Sequence, residues 1–113
     1  MNKEESKELK EFVERWNIQI KNNGGSMTKR KLTADEEKES ARWKRSKRAE
    51  CGCKVAGHVP DASAGGPATP LDWMKQFKST NGYIGGIIGR LKEGYTYNKV
   101  TLVRDLADCG ENK

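Results

Sequence analysis

Apolar residues near the start of the chain recur at the spacing of one helix face. The residues on that face are Leu9, Phe12, Val13, Trp16 and Ile20. Charged and polar residues fill most positions between them, so the pattern predicts an amphipathic helix over residues 4–21. The Asn and Gly residues at positions 22–25 end it, because both residue types adopt the left-handed conformation that closes helices.

A second helix is predicted from its start. Thr33 precedes Glu36 by three residues, which is the order of a capping box at a helix N-terminus. Acidic residues lie in the expected first turn and basic residues in the last, and this order matches the helix dipole. The sequence therefore predicts a helix over residues 33–50.

The chain between residues 70 and 92 holds two shorter helical patterns. Thr69 before Pro70 is a typical helix start and predicts a third helix over residues 70–78. An Asn-Gly break then precedes a fourth helix over residues 83–92, in which three glycines each cost about 1 kcal/mol relative to Ala. Such a helix tolerates those glycines if another element packs closely against them. The residues of the third helix expected to face inward are Leu71, Met74 and Phe77.

Two segments lack a helical pattern. Residues 51–69 are rich in Gly and Pro, which predicts a loop. Residues 95–103 alternate aromatic or β-branched with polar residues, which predicts a short strand or an extended arm before a polar tail at 105–113. The sequence thus predicts a mainly α fold: one small domain over residues 1–113, with about four helices and a Gly- and Pro-rich loop.

The charge balance adds information about partners. The net charge is +6 and the sequence pI is about 9.3, which predicts attraction to polyanions such as nucleic acid. An anionic membrane surface and an acidic protein partner remain open. No apolar run approaches the ~20 residues that cross a bilayer, and residues 1–10 are too charged for a signal peptide. We expect a soluble chain that is exported only through a carrier.

The only histidine, His58, precedes Asp61 by three residues in the predicted loop. A neutral imidazole takes a proton from water or a hydroxyl near neutral pH, as phosphodiester hydrolysis requires. Asp61 could then hold Mg²⁺ or fix the tautomer of His58. The alternative is a surface histidine in a polar loop, because a three-residue spacing is common by chance.

A dense basic run surrounds Trp43 near the end of the predicted second helix. At about 100° per residue its cations cover most of the helix circumference, so some must face a nearby ligand. Backbone phosphates of nucleic acid match their charge. The alternative is a solvated face with one buried Trp. The five cations are Arg42, Lys44, Arg45, Lys47 and Arg48.

Two glycines follow the His-Asp pair directly. Gly65 and Gly66 could present bare backbone N–H groups to a phosphate. They could instead form only a tight turn that aims His58 and Asp61. The segment lacks the Lys and the spacing of a P-loop, which argues against nucleotide binding of that kind.

Three cysteines and His58 have the ligand count of a zinc site. The spacing argues against zinc, because a single residue between Cys51 and Cys53 seldom lets both thiolates reach one tetrahedral ion. The alternatives are incidental thiols or a disulfide that joins Cys109 to Cys51 or to Cys53.

Several of these features occur in an order that resembles a known family. The residues are Trp16, Asn17 and Gln19 in the first helix, then His58, Pro60 and Asp61 after the basic helix, Ala64, Gly65 and Gly66, and finally Asn81, Ile84 and Gly85. The chain is similar to the HxxD-type polymorphic-toxin nucleases, called novel toxin family fifteen, which include DNase effectors of type VI secretion. The likeness is strongest over residues 57–86.

The resemblance implies a bacterial antagonism toxin that degrades DNA in the cytoplasm of a competitor cell. Such a toxin is a module of a larger secreted polypeptide or is injected by a secretion carrier, and a cognate immunity protein, here expected to be acidic, neutralises it. His58 and Asp61 match the catalytic pair, and Gly65, Gly66 and Asn81 match other family positions. The alternatives are a ribonuclease toxin, which needs no metal, and a non-catalytic nucleic-acid-binding or interaction module.

Overall fold

The computed structural model describes residues 2–102 of the chain. Its α-helices are α1 (Lys3–Asn22), α2 (Ala34–Cys51) and α3 (Lys78–Gly89). Its strands are β1 (Met27–Thr28), β2 (Val55–His58), β3 (Trp73–Gln76) and β4 (Thr96–Tyr97), with a 3-10 helix at Ala62–Ala64. Strand β1 pairs antiparallel with β4 and strand β2 with β3, so the described residues contain two separate two-stranded sheets.

The first two predicted helices are confirmed. Each begins with a capping box, because the side chains of Asn2 and Thr33 accept the backbone N–H three residues later. The side chains of Glu5 and Glu36 accept in return from the two cap residues. Local capping and the apolar face of α1 act together here, so the sequence carries enough information to define both helices.

The predicted third helix over residues 70–78 is wrong, because the middle of this segment, Trp73–Gln76, forms β3. Met74 and Gln76 are buried and Lys75 between them is exposed, which is the period of two of a half-buried strand. Thr69 does not cap a helix; its hydroxyl donates to Glu39 of α2. Leu71, expected to face inward, is 82% exposed. Pairing with β2 overrides the local helix signal.

The predicted break at Asn81 and Gly82 is also wrong, since α3 runs through both residues from Lys78. The described residues therefore contain three α-helices, and not four. Glu8 of α1 accounts for the early start of α3: its Oε1 accepts the backbone N–H of Phe77, the N-cap residue, at 3.0 Å. A partner from α1 thus satisfies one of the N–H groups that a helix start leaves free.

The glycines of α3 face solvent. Gly85, Gly86 and Gly89 are exposed, and a Cβ placed on any of them meets nothing within 4 Å. Close packing against another element therefore does not account for these glycines in the described part of the chain. The buried face of α3 consists of Thr80, Ile84 and Ile88, spaced one turn apart.

An apolar core joins α1 and α3 to both sheets. Tyr97 of β4 lies at its edge, where its hydroxyl accepts from the Trp16 indole and donates to the Ala64 carbonyl. Burial raises the pKa of Tyr97 to about 12. The buried members of this core are Leu9, Phe12, Trp16, Ile20, Met27, Val59, Ala64, Met74, Ile84 and Ile88.

The strand predicted over residues 95–103 is confirmed in part, since β4 occupies only Thr96–Tyr97. The chain after β4 is held to α1 by Asn17, whose side chain exchanges two hydrogen bonds of 2.8 Å with the backbone of Val100. The predicted polar tail at 105–113 lies outside the described residues. Among residues 2–102, none of the helices combines the length and the apolar composition that crossing a membrane requires.

Candidate functional site

Strands β2 and β3 form an antiparallel pair, with residues of α2 against one face and residues of α3 against the other. Side chains alternate between the faces along a strand, and directly paired residues share a face. His58 is paired with Trp73, and both contact residues of α2. Gly57 lies on the other face, next to the side chains of Gln76 and Asn81. Asn81 therefore contacts the face of β2 opposite to His58, and it reaches the side of α2 only where it lines one depression together with Ala56.

His58 is the last residue of β2, and only 4% of it is exposed. Its ring lies against Trp43 of α2, with ring centroids 4.6 Å apart. Its Nε2 lies 3.1 Å from the Ser40 hydroxyl and 3.3 Å from the Ala68 carbonyl oxygen. The prediction that His58 stands in a loop, and the alternative of a surface histidine, are both wrong, because pairing with β3 draws residues 55–58 into a buried strand.

The partners of His58 determine which ring nitrogen can act as a base. Nε2 lies near a pure acceptor, the Ala68 carbonyl oxygen, and near the Ser40 hydroxyl, which can donate or accept. A proton on Nε2 satisfies the carbonyl, whereas a proton on Nδ1 lets the hydroxyl donate to Nε2. Nδ1 has no hydrogen-bond partner among residues 2–102, and the Trp43 ring packs against the imidazole. In the tautomer with the proton on Nε2, Nδ1 is the atom that can accept a proton.

Burial keeps this ring neutral. Desolvation is the largest effect on the pKa of His58 and lowers it below the ordinary value of 6.5. The charge of Lys44 lowers this pKa as well, whereas the Asp61 carboxylate and the Ala68 carbonyl act in the raising direction. Because the lowering effects prevail, the base form predominates at neutral pH, as a general base requires.

Asp61 lies just after β2 and is close to His58 without being bonded to it. Its Oδ2 accepts a hydrogen bond of 3.0 Å from the Ser63 hydroxyl. Within the described residues no hydrogen bond joins Asp61 to His58. The hydrogen-bonding groups beside the ring are thus Ser40 and the Ala68 carbonyl, and Asp61 acts on the ring through its charge.

Asp61 is also the residue to test against the expected Mg²⁺. Residues 2–102 contain no group of three or more His, Cys, Asp or Glu side chains placed to hold a metal ion. Mg²⁺ does not need such a group, since one or two carboxylates usually hold it together with substrate phosphates and water. Asp61 is partly exposed, and its Oδ1 has no hydrogen-bond partner among the described side chains. It therefore fits a site with a single carboxylate.

The cysteines have different surroundings. Cys51 is the last residue of α2 and is buried, Cys53 is exposed, and no disulfide joins the two within residues 2–102. They form no metal group with His58 in the described part of the chain. Cys109 lies outside residues 2–102, so a disulfide through it stays a prediction.

The cations of α2 do not share one surface. Lys44 and Arg48 lie one turn apart and line a depression of about 250 Å³ that β2 and α3 also border. Arg42 and Arg45 are exposed, and the helical angle places them on the side of α2 away from Ser40. Two of the five predicted phosphate contacts thus lie beside the strand pair, and two face away from it.

Lys47, the fifth cation, belongs to an aromatic cluster next to His58. Its Nζ lies 5.1 Å from the centre of the Trp73 ring, and the Trp73 and Trp43 rings meet edge to face with centroids 5.6 Å apart. Its Nζ also lies 3.6 Å from the Glu50 carboxylate. The Lys47 side chain therefore lies over the Trp73 ring, which contacts Trp43 beside His58.

Gly65 and Gly66 have packing roles. Gly65 has a φ of +117°, a conformation that favours glycine, and a Cβ there would lie 2.9 Å from the Cβ of Met27. A Cβ on Gly66 would lie 2.9 Å from the Pro60 carbonyl oxygen. The Gly65 amide already donates to the Ala62 carbonyl. These contacts account for both glycines without a bound phosphate.

Four groups that surround His58 or its site were not among the predicted site residues. Ser40 and Trp43 are three residues apart and so share a face of the predicted second helix, a relation that was readable from the sequence. Trp73 required the pairing of β2 with β3, which a helix prediction at that position obscured. Ala68 contacts His58 through its backbone carbonyl, and the residue type at position 68 carries no information about such a contact.

Comparison with protein-family models, with curated proteins and with solved structures finds no match to this chain.

Proposed function

We propose that this protein is a nuclease that hydrolyses DNA phosphodiester bonds, with His58 as the general base. The observation that carries the proposal is the surroundings of the imidazole: burial lowers its pKa and keeps it neutral, Ser40 and Ala68 lie within hydrogen-bond distance of Nε2, and Nδ1 has no hydrogen-bond partner among the described residues. The basic helix α2 supplies both the residues that orient this ring and the cations that attract phosphate. The proposed base and cations that attract phosphate therefore lie beside the same strand pair.

Hydrolysis requires an acceptor for the proton of the attacking water. As the water oxygen bonds to phosphorus, its proton passes to Nδ1 of His58, and the bond from phosphorus to the leaving sugar oxygen breaks. The leaving oxygen takes a proton from solvent. The Ala68 carbonyl retains its hydrogen bond from Nε2 and stabilises the ring while it is charged. The Lys44 charge, which acts on the ring, supports the attraction of a negative phosphate to this end of the strand pair.

Asp61 would hold Mg²⁺ through its free carboxylate oxygen. When bound, Mg²⁺ neutralises charge on the phosphate oxygens of the substrate. Asp61 has a second effect that does not involve metal, because its charge raises the pKa of His58 and so opposes the effect of burial. The base is thereby made stronger than a buried imidazole alone.

The biological role that we propose is bacterial antagonism. The resemblance to polymorphic-toxin nucleases supports delivery by a secretion system into the cytoplasm of a competitor. The net charge of +6 supports neutralisation by an acidic immunity protein, since opposite charge steers and selects partners. Both statements rest on the nuclease activity and fall with it.

The substrate and metal are tested by incubating the protein with supercoiled plasmid and, separately, with total RNA. Each substrate is tested with Mg²⁺ and with EDTA. We expect nicked and linear plasmid in Mg²⁺, loss of this cleavage in EDTA, and intact RNA. Cleavage of RNA alone, unaffected by EDTA, would identify a ribonuclease, and two intact substrates would overturn the nuclease proposal in favour of a binding module.

A further inference from the structure

The depression of about 250 Å³ beside β2 is cationic. The C-terminal half of α2, the start of β2 and α3 enclose it, and none of its lining residues is acidic. We propose that this α2–α3 depression binds a backbone phosphate of the nucleic acid, next to the scissile one. The inference rests on the proposed function, because the phosphate belongs to the same substrate. The polar lining residues are Lys44, Arg48, Lys54 and Asn81.

Two of the three cations are available to an anion. Lys44 and Arg48 are exposed, and neither has a carboxylate within 4.0 Å among the described residues. Lys54 differs, because its Nζ donates to the Glu8 carboxylate at 2.8 Å. Residues four apart on a helix lie side by side, so Lys44 and Arg48 present two adjacent charges to the depression.

Asn81 adds an amide that the Gln76 side chain holds in place. Its Nδ2 donates one hydrogen to Oε1 of Gln76 at 2.9 Å, which leaves the second hydrogen for a ligand. Gln76 is fully buried, and its Nε2 has no partner within residues 2–102. A buried donor without a partner is rare and needs an explanation. The same Gln76 side chain positions Asn81, which lines the cationic depression.

The depression lies near His58, because it reaches the residue two positions before His58 on β2. Ala56 lines it and stands two residues before His58 on the same face of β2, a separation of about 7 Å along a strand. Lys44 links the two places, since it lines the depression and its charge lowers the pKa of His58. A phosphate in the depression is therefore a neighbour of the one that His58 attacks.

The first test measures binding of a short fluorescein-labelled DNA strand by anisotropy over a salt series. The background is His58→Gln, so that the strand stays intact. Lys44→Gln and Arg48→Gln should each weaken binding several-fold and reduce the slope of log K against log salt by about 0.7, the loss of one contact to a single strand. Arg42→Gln and Arg45→Gln, on the far side of α2, are the matched controls. Equal losses in all four variants would overturn the subsite in favour of diffuse attraction.

The second test places a negative charge in the depression. Asn81→Asp should weaken binding at least tenfold and leave the melting temperature near that of the parent, because the free Nε2 of Gln76 can turn toward the new carboxylate. Asn98→Asp makes the same change of charge at an exposed position. An equal effect of Asn98→Asp would contradict the proposal. Release of the strand by millimolar inorganic phosphate at constant ionic strength would also contradict it, because the ligand would then be free phosphate.

These tests separate the subsite from the nuclease activity. If Lys44, Arg48 and Asn81 control binding but the parent protein cleaves no substrate, the subsite stands and the proposed function falls. If the parent protein cleaves plasmid but these variants bind the strand like their controls, the subsite alone is wrong.

Discussion

Three groups of different kinds hold the His58 ring: a hydroxyl from Ser40, a backbone carbonyl from Ala68 and the indole of Trp43. The sequence could identify His58 and Asp61 as candidates, because a lone histidine near a carboxylate is visible in any chain. It could not show that His58 is buried or which nitrogen is free, since Ala68 contributes a backbone atom and lies ten residues away.

The first prediction concerns the pKa of His58, which NMR can measure without assignment because the chain has one histidine. We expect a pKa below 6.5, and a further decrease in Asp61→Asn, since the Asp61 charge acts in the raising direction. Asp35→Asn, an exposed carboxylate in the first turn of α2, is the control. A pKa above 6.5, or an increase in Asp61→Asn, would contradict the account of this site.

Helices α1 and α2 were predictable at the scale of elements because their caps and faces are local. Strands β2 and β3 were not, since each has four residues and depends on the other for its hydrogen bonds. Helix α3 begins where Glu8 of α1 accepts the backbone N–H of Phe77, a contact between residues 69 apart. Tertiary contacts therefore decide the half of the fold that carries the site.

Gly57 tests the packing between β2 and α3. A Cβ there would lie 2.1 Å from Gln76 Oε1, and Gln76 is fully buried and cannot swing into solvent. We expect Gly57→Ala to lower the free energy of unfolding by about 1–3 kcal/mol, the usual range for overpacking. Urea unfolding measures this change.

Gly85→Ala is the matched control for Gly57→Ala. A Cβ on Gly85 meets nothing within 4 Å, so alanine should raise the free energy of unfolding by about 0.5–1 kcal/mol through its better helix propensity. If Gly57→Ala were neutral, the close approach of β2 to Gln76 would be wrong. If Gly85→Ala were destabilising, the open outer face of α3 would be wrong.

At the scale of the whole molecule, the free energy of unfolding should depend on pH in two steps, because one histidine and two glutamates have pKa values that folding shifts. The folded pKa of His58 is lowered, so the unfolded chain binds a proton first as pH falls below 6.5, and stability decreases there. The folded pKa values of Glu5 and Glu36 are also lowered, so the stability that they contribute is present above 4.5 and is lost as pH falls further.

The measurement for this prediction is the urea midpoint followed from neutral to acid pH. His58→Gln should remove the first step and leave the second, because it has no imidazole to protonate. A midpoint that does not change through 6.5 in the parent protein, or a first step that persists in His58→Gln, would contradict the assignment to His58.

The most direct test of the central claim compares the rate of plasmid cleavage by the parent protein and by His58→Gln. Gln keeps an N–H that can reach the Ala68 carbonyl and offers no basic nitrogen, so the variant should retain its fold, as checked by its melting temperature. If His58 is the general base, the rate should fall by about 10²–10⁴-fold, the usual contribution of general base catalysis. Cleavage by a folded His58→Gln variant at the parental rate would contradict the claim.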